Sequence, residues 1–182
     1  MDFEVKRMEP LFRDQADYDV FSRRHASNHV KSGDLSSYEG NCYLGIDAGS
    51  TTTKTALVGE DGSLLYSFYH SNNGSPLATT IESIREIHRL LPEDAHIVYS
   101  CSTGYGEALI KAALMLDEGE VETVAHYYAA AFFDKNVDCI LDIGGQDMKC
   151  IKIKKFIQLT VYSSTKPVPR AAAPLLRPLP SR

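Results

Sequence analysis

The chain has 182 residues, 43% of them apolar, and a formal net charge of −5. No apolar run approaches the roughly 18 residues a membrane-spanning helix requires, no signal-peptide pattern is present, and the acidic balance gives no reason to invoke nucleic acid. A cytoplasmic protein is expected. Cys42, Cys101, Cys139 and Cys150 lack CxxC spacing, so disulfide and zinc frameworks are weak readings, and Cys139 and Cys150 read as small strand hydrophobes.

Residues 1–38 are charged and poor in turns, with Asp14 as a helix cap and Tyr18, Phe21 and His25 at helical spacing. This stretch reads as a partly helical lead-in. Three strands are expected next, at Tyr43 to Asp47, Thr53 to Val58 and Leu64 to His70, with Asp61 and Gly62 turning the second into the third. Leu77, Ile81, Ile84, Ile87, Leu90 and Leu91 give a helix with an apolar stripe that starts near Pro76. A fourth strand follows at Ala95 to Ser100. Helices are expected over about Glu107 to Leu116 and Val121 to Phe133, and strands around Cys139 and Ile151 close the pattern. The order βββαβα with an added hairpin predicts an α/β fold, a ribonuclease-H-like domain with a mixed five-stranded sheet, over residues 39–155.

Two segments carry the chemistry. Tyr43 to Lys54 reads YLGIDAGSTTTK, and Cys139 to Lys149 reads CILDIGGQDMK; in each, an apolar strand ends in aspartate and runs into glycine. A triphosphate with Mg²⁺ needs carboxylates to hold the metal's water shell and small residues that let backbone N–H groups approach phosphate. Gly49 and the hydroxyls of Ser50, Thr51 and Thr52 line the first tip, and Lys54 leaves it on the return strand with an ammonium for a β- or γ-phosphate. Taken alone, an ordinary Gly/Ser/Thr hairpin with a solvated lysine explains that segment about equally well. A Walker A loop is excluded, because no GxxxxGK[ST] string exists. At the second tip, Gly144 and Gly145 let backbone approach a ligand, with Gln146 and Asp147 on the same turn. The repetition of strand, aspartate, glycine-rich tip and strand favours a phosphate clamp over two unrelated turns.

The pair GIDAGSTTTK and DIGGQDMK resembles the phosphate loops of the acetate and sugar kinase, heat-shock chaperone and actin superfamily. STGYGEALIKAAL (Ser102 to Leu114), EVETVAHYYAAAFF (Glu120 to Phe133) and DIGGQDMK narrow the resemblance to the ATP-dependent activators of 2-hydroxyacyl-CoA dehydratases and benzoyl-CoA reductases, over roughly Ser36 to Lys154. The resemblance implies an actin-like ATPase domain. It implies a homodimer holding one [4Fe-4S] cluster, with ATP hydrolysis driving a low-potential electron into a partner dehydratase or reductase. Asp47 and Asp142 would hold Mg²⁺ through water and would position the attacking water; Gly49 to Thr53, Lys54, Gly144 and Gly145 would contact phosphate. A small-molecule kinase of the same superfamily would share both loops.

The family's cluster ligands lie in an NEACSSGCGSF-like string after the second hairpin, and this chain has no such string. From about Phe156 the text changes character, and Thr165 to Arg182 holds five of the eight prolines with no helix or strand period. Back-translated with permitted codons and read from the third base, Ser164 to Pro174 gives NEACSSGCGS, and the remainder can continue as FIETFAKS. A frame break between about Lys154 and Thr160 is expected, leaving 156–182 as an out-of-frame, disordered tail. A natural proline-rich linker is the alternative. On that reading the chain is an N-terminal nucleotide-binding half with its second domain missing, inactive by itself or a translated pseudogene fragment.

Three further features have modest readings. Thr103, Gly104, Tyr105 and Gly106 can present a helix N-terminus to phosphate, although a plain glycine turn that starts a helix is favoured. His126 reads as a core or surface histidine. His88 with Arg85 and Arg89 reads as a solvated helix face.

Overall fold

The computed structural model describes residues 9–144, 148–154 and 158–163. The lead-in forms α1 (Gln15–Ala26), and the Asp14 carboxylate accepts from the Asp17 N–H at its start. No residue of α1 is buried. Residues 31–37 behave differently from a linker. Leu64 N–H donates to the Lys31 carbonyl, Gly33 N–H donates to the Leu64 carbonyl, and Leu35 enters the core. The packed domain therefore begins several residues before the expected boundary at 39.

The predicted meander is present as β1 (Gly40–Ala48), β2 (Thr52–Gly59) and β3 (Leu64–Ser71). Antiparallel register sets Asp47 opposite Lys54 and Lys54 opposite Tyr69. α2 (Pro76–Leu90) then crosses to β4 (Ala95–Thr103), which runs parallel to β1, and α3 (Glu107–Leu114) leads to β5 (Glu118–Gly119), parallel to β4. The sheet order is β3-β2-β1-β4-β5. This is the expected mixed five-stranded sheet, with one correction: its fifth strand is Glu118–Gly119, too short to show any period in the sequence.

α4 (Glu122–Phe133) connects to a second antiparallel sheet made of β6 (Cys139–Ile143), β7 (Met148–Lys154) and β8 (Gln158–Ser163), in the order β6-β7-β8. The strands around Cys139 and Ile151 thus start a separate sheet rather than closing the first. β8 also carries regular pairing to Ser163, beyond the expected start of a disordered tail at 156. The remaining tail, 164–182, lies outside the described residues.

Side-chain alternation decides what each strand face does. Cys42, Leu44, Ile46 and Ala48 of β1 point into the core, where Leu57, Leu65, Ile87 and Ile110 meet them and Leu77, Ile84 and Leu91 pack at the margin. α2 starts as its sequence dictates, with Pro76 in the first turn and the Ser75 hydroxyl accepting from Ala78 N–H. Between β2 and α2 the core includes a polar seam, where Thr55 Oγ1 and Ser83 Oγ lie 2.8 Å apart, both buried. Tyr43, Asp47 and Lys54 take the opposite face of the sheet.

Tyr66 on β3 supplies a pH-dependent term. Burial, reinforced by a hydrogen bond to Glu86, pushes its hydroxyl up to about 12. An unfolded tyrosine ionises near 10, so below that pH both states keep the proton and the contribution is complete. As pH rises from about 10 to about 12 the unfolded chain alone ionises, and stability falls. Urea unfolding at a series of alkaline pH values should show this decline in the wild type and a shallower one in Tyr66→Phe; equal slopes would refute it.

Candidate functional site

β1 and β2 end together at the first tip. Gly49 N–H donates to the Thr52 carbonyl at 3.0 Å, closing a tight connection, and the Asn72 amide donates to the Gly49 carbonyl at 2.8 Å. Asn72 is itself held by the Thr53 hydroxyl at 2.6 Å, and Thr53 is wholly buried. Strand alternation turns the Thr53 hydroxyl inward, where it braces the tip from beneath, so any phosphate contact at this residue falls to its backbone. Ser50, Thr51 and Thr52 stay on or beside the tip.

Asp47, the last outward residue before the tip, accepts a 3.0 Å hydrogen bond from the Lys54 ammonium, directly across the ladder. That contact, ahead of the opposing cost of burial and the fields of Asp47, Tyr69 and Asp142, holds the Lys54 ammonium above its ordinary pKa. Tyr69 sits beside the same ammonium, 5.9 Å from ring centroid to Nζ.

The Gly104 turn closes over the end of β1. Gly106 N–H donates to the Ala48 carbonyl at 2.8 Å, and Gly104 adopts φ +88°. A Cβ on Gly104 would stand 2.6 Å from Asp47 Oδ1 and 2.8 Å from the Ala48 carbonyl oxygen. The Ser102 hydroxyl donates to the Glu107 carbonyl and the Thr103 hydroxyl to the Glu120 carbonyl, tying the turn to α3 and to the lead into α4. Tyr105 projects outward, 88% exposed. The plain reading of this turn as a helix start holds, and it also sets the position of Asp47.

The second arm comes from β6 and β7. Asp142 faces Lys149 across the ladder, repeating the Asp47 and Lys54 arrangement. Asp142 Oδ2 lies 3.5 Å from Lys149 Nζ and 3.4 Å from His126 Nε2, while Lys149 Nζ is 3.1 Å from Glu122 Oε1. His126 is a partly exposed histidine, in keeping with the surface reading, that also neighbours Asp142. Its spacing of four from Glu122 placed both on one face of α4, a signal that the sequence carried without saying what they faced. Glu122, His126 and Asp142 offer three donor atoms within 4.8 Å of one another, but the Lys149 ammonium already serves both carboxylates from within the group. Gly144 follows β6 and is exposed; Gly145, Gln146 and Asp147 lie outside the described residues.

A cavity of about 540 Å³ opens on the outward face of the five-stranded sheet. Asp47, Lys54, Tyr69, Cys101 and Thr103 line it, with Ala125 of α4 along one side. The mixed five-stranded sheet with its helices is the fold of an actin-like ATPase domain. The chain belongs to the BadF/BadG/BcrA/BcrD ATPase family, whose model matches residues 44–166.

The chain is 31% identical over 116 residues to the (R)-2-hydroxyglutaryl-CoA dehydratase activating ATPase of Acidaminococcus fermentans, covering 61% of this chain and 42% of that protein. The crystal structure of the A. fermentans dehydratase component A superposes with a TM-score of 0.57 at 26% identity, over 70% of this chain and 48% of that one. The activator of the 2-hydroxyisocaproyl-CoA dehydratase from Clostridium difficile, with bound ADPNP, shares the fold with a TM-score of 0.56 at 24% identity, over 69% and 46% of the two chains. The chain therefore spans less than half the length of these relatives.

Gly104 gives a direct test of how the site is held. Gly104→Ala places a methyl group against backbone and carboxylate in a left-handed conformation, so it should cost about 1–3 kcal/mol in denaturant unfolding. A variant as stable as wild type would show that the turn and β1 are not packed as described.

Proposed function

We propose that this chain is the nucleotide-binding half of an ATPase that activates a 2-hydroxyacyl-CoA dehydratase by ATP-driven electron transfer. One observation carries the reading: Asp47 on β1 faces Lys54 across one antiparallel hairpin and Asp142 on β6 faces Lys149 across the other, so each hairpin presents the same carboxylate and ammonium pair beside its turn. Family membership and the likeness to dehydratase activators supply the chemical context.

The residues present fit Mg-ATP. Asp47 and Asp142 are partly buried carboxylates, with side chains 34% and 16% exposed, and hard oxygen donors of this kind suit magnesium and its water shell. When bound, the ion would neutralise phosphate charge. Lys54 exchanges its Asp47 partner for a β- or γ-phosphate, while Gly49, Gly144 and Gly145 leave room for backbone to approach and Ser50, Thr51 and Thr52 offer hydroxyls. Gln146 and Asp147 would add contacts to the nucleotide. Asp142 orients the attacking water, and His126 and Lys149 hold Asp142 in place. Gly104 packs against Asp47, and Tyr105 projects outward from the same turn.

A [4Fe-4S] cluster does not fit the cysteines of this chain. Cys42 is sealed in the core, Cys101 stands alone on β4, and no cysteine follows Cys150, where the family's ligand string would lie. We infer that the coding frame breaks nearer the tail than the expected Lys154 to Thr160, since β8 pairs regularly to Ser163 and the family match runs to residue 166, and that the in-frame protein forms the cluster-bridged homodimer. Genomic reads that confirm this frame, with no CSSGCG-like peptide encoded downstream, would overturn the inference.

Nucleotide binding by the chain should rest on phosphate and magnesium contacts. Millimolar rather than micromolar affinity for Mg-ATP is expected by calorimetry, a difference of about 4 kcal/mol. Micromolar binding would contradict a half-site. In a frame-restored protein, Asp142→Asn should lower kcat and kcat/KM together by about 10²- to 10³-fold with the fold intact, and Asp47→Asn should behave similarly. Lys54→Ala should also weaken nucleotide binding, since its charge meets phosphate in the ground state. Near-normal turnover by folded Asp142→Asn would remove these aspartates from the ATPase centre.

A further inference from the structure

The β6–β7 hairpin holds a pair of thiols that nucleotide chemistry does not use. In its antiparallel ladder Cys139 faces Lys152 and Leu141 faces Cys150, so the two cysteines are diagonal neighbours on one face of the hairpin. Their sulfurs lie 3.7 Å apart, both are free, Cys139 is exposed and Cys150 is partly exposed. The reading of these residues as strand hydrophobes accounts for neither the exposure of Cys139 nor the contact. Cys42 is completely buried, and Cys101 is on a different strand of the other sheet.

We propose that Cys139 and Cys150 form a thiol modification site, closing to an intramolecular disulfide by exchange with a small-molecule disulfide such as oxidised glutathione. One cysteine, as its thiolate, attacks a sulfur of the small disulfide, forming a mixed disulfide and expelling one small thiolate. The other cysteine then attacks the protein sulfur of that mixed disulfide, forming the Cys139–Cys150 bond and expelling the second small thiolate. The two protein thiols lose two electrons and two protons; the small disulfide gains them and becomes two thiols. Excess small thiol runs the same steps backwards.

Geometry favours the second step over a lasting mixed disulfide. The resolving sulfur is already at van der Waals distance, so closing to a bond of about 2.04 Å requires side-chain rotation and a small strand adjustment, and the neighbour acts at a high effective concentration. The closed link would sit one rung from the Asp142 and Lys149 pair, and the segment it encloses contains both. Oxidation therefore pins the base of the second arm. The thiol chemistry itself stands independently of whether that arm binds nucleotide.

The test uses the full, reduced chain in buffers of increasing oxidised-to-reduced glutathione ratio, quenched with N-ethylmaleimide in denaturant so that the buried Cys42 is alkylated too, and analysed by intact mass and peptide mapping. The expected result is loss of two of the four alkylatable thiols, a Cys139–Cys150 linked peptide, and recovery of all four on return to reduced glutathione. Cys139→Ser and Cys150→Ser should each trap glutathione on the remaining partner instead. In denaturant the preference for this pair should disappear, with at least about tenfold more oxidised glutathione needed for the same link. A glutathione adduct that persists on wild-type Cys139, an intermolecular dimer, or four alkylatable thiols throughout the series would overturn the proposal.

Discussion

The close packing of the Gly104 turn against the end of β1 is the constraint on which the site depends. β1 is paired on both sides, antiparallel to β2 and parallel to β4, so its backbone cannot shift without breaking two ladders. At its last residues the Ala48 carbonyl accepts from Gly106, and Gly104 lies against the Asp47 carboxylate with no room for a Cβ. Asp47 is fixed by this packing before any ligand arrives. Its ion pair with Lys54 is half exposed and contributes little to stability, so its importance lies in orientation.

The first tip shows how strand alternation sorts chemically similar residues. Thr52, Thr53 and Lys54 are consecutive, yet the period of two sends the Thr53 hydroxyl into the core and Lys54 outward. A buried hydroxyl must find a partner, and Asn72 supplies it while its amide holds the Gly49 carbonyl. The phosphate-like composition of STTT therefore divides into a part that can face a ligand and a part that braces the loop. Composition alone does not make that division; strand phase does.

Much of the fold was legible because its signals are local. The Pro76 helix start, its apolar stripe, the Asp61-Gly62 turn and the alternation in β1 each act within a few residues. β5 was not legible, because two residues carry no period, and neither was the inclusion of Lys31 to Ser37, which depends on backbone pairing with Leu64. At the site, Asp47, Lys54 and Asp142 were read from their place at strand ends. Glu122, His126 and Lys149 were not, because their grouping requires α4 to pass beside a hairpin of another sheet. Cys139 and Cys150 escaped for the same reason, since their diagonal contact depends on hairpin register.

The two arms solve one electrostatic problem twice. On the proposed function a strand-end carboxylate would serve a metal-bound nucleotide, but an unpaired carboxylate in a partly buried pocket is costly when the pocket is empty. On each hairpin an ammonium occupies the facing ladder position, Lys54 for Asp47 and Lys149 for Asp142. The second arm adds Glu122, which shares Lys149 with Asp142, so α4 is joined electrostatically to a strand of the other sheet. A phosphate-bearing ligand would bring anionic oxygens for Lys54 together with a cation for the carboxylates, exchanging partners without leaving either charge bare. On the proposed function, that exchange would reach α4 through Glu122, His126 and Lys149, because the element that links the sheets also contacts the Asp142 carboxylate.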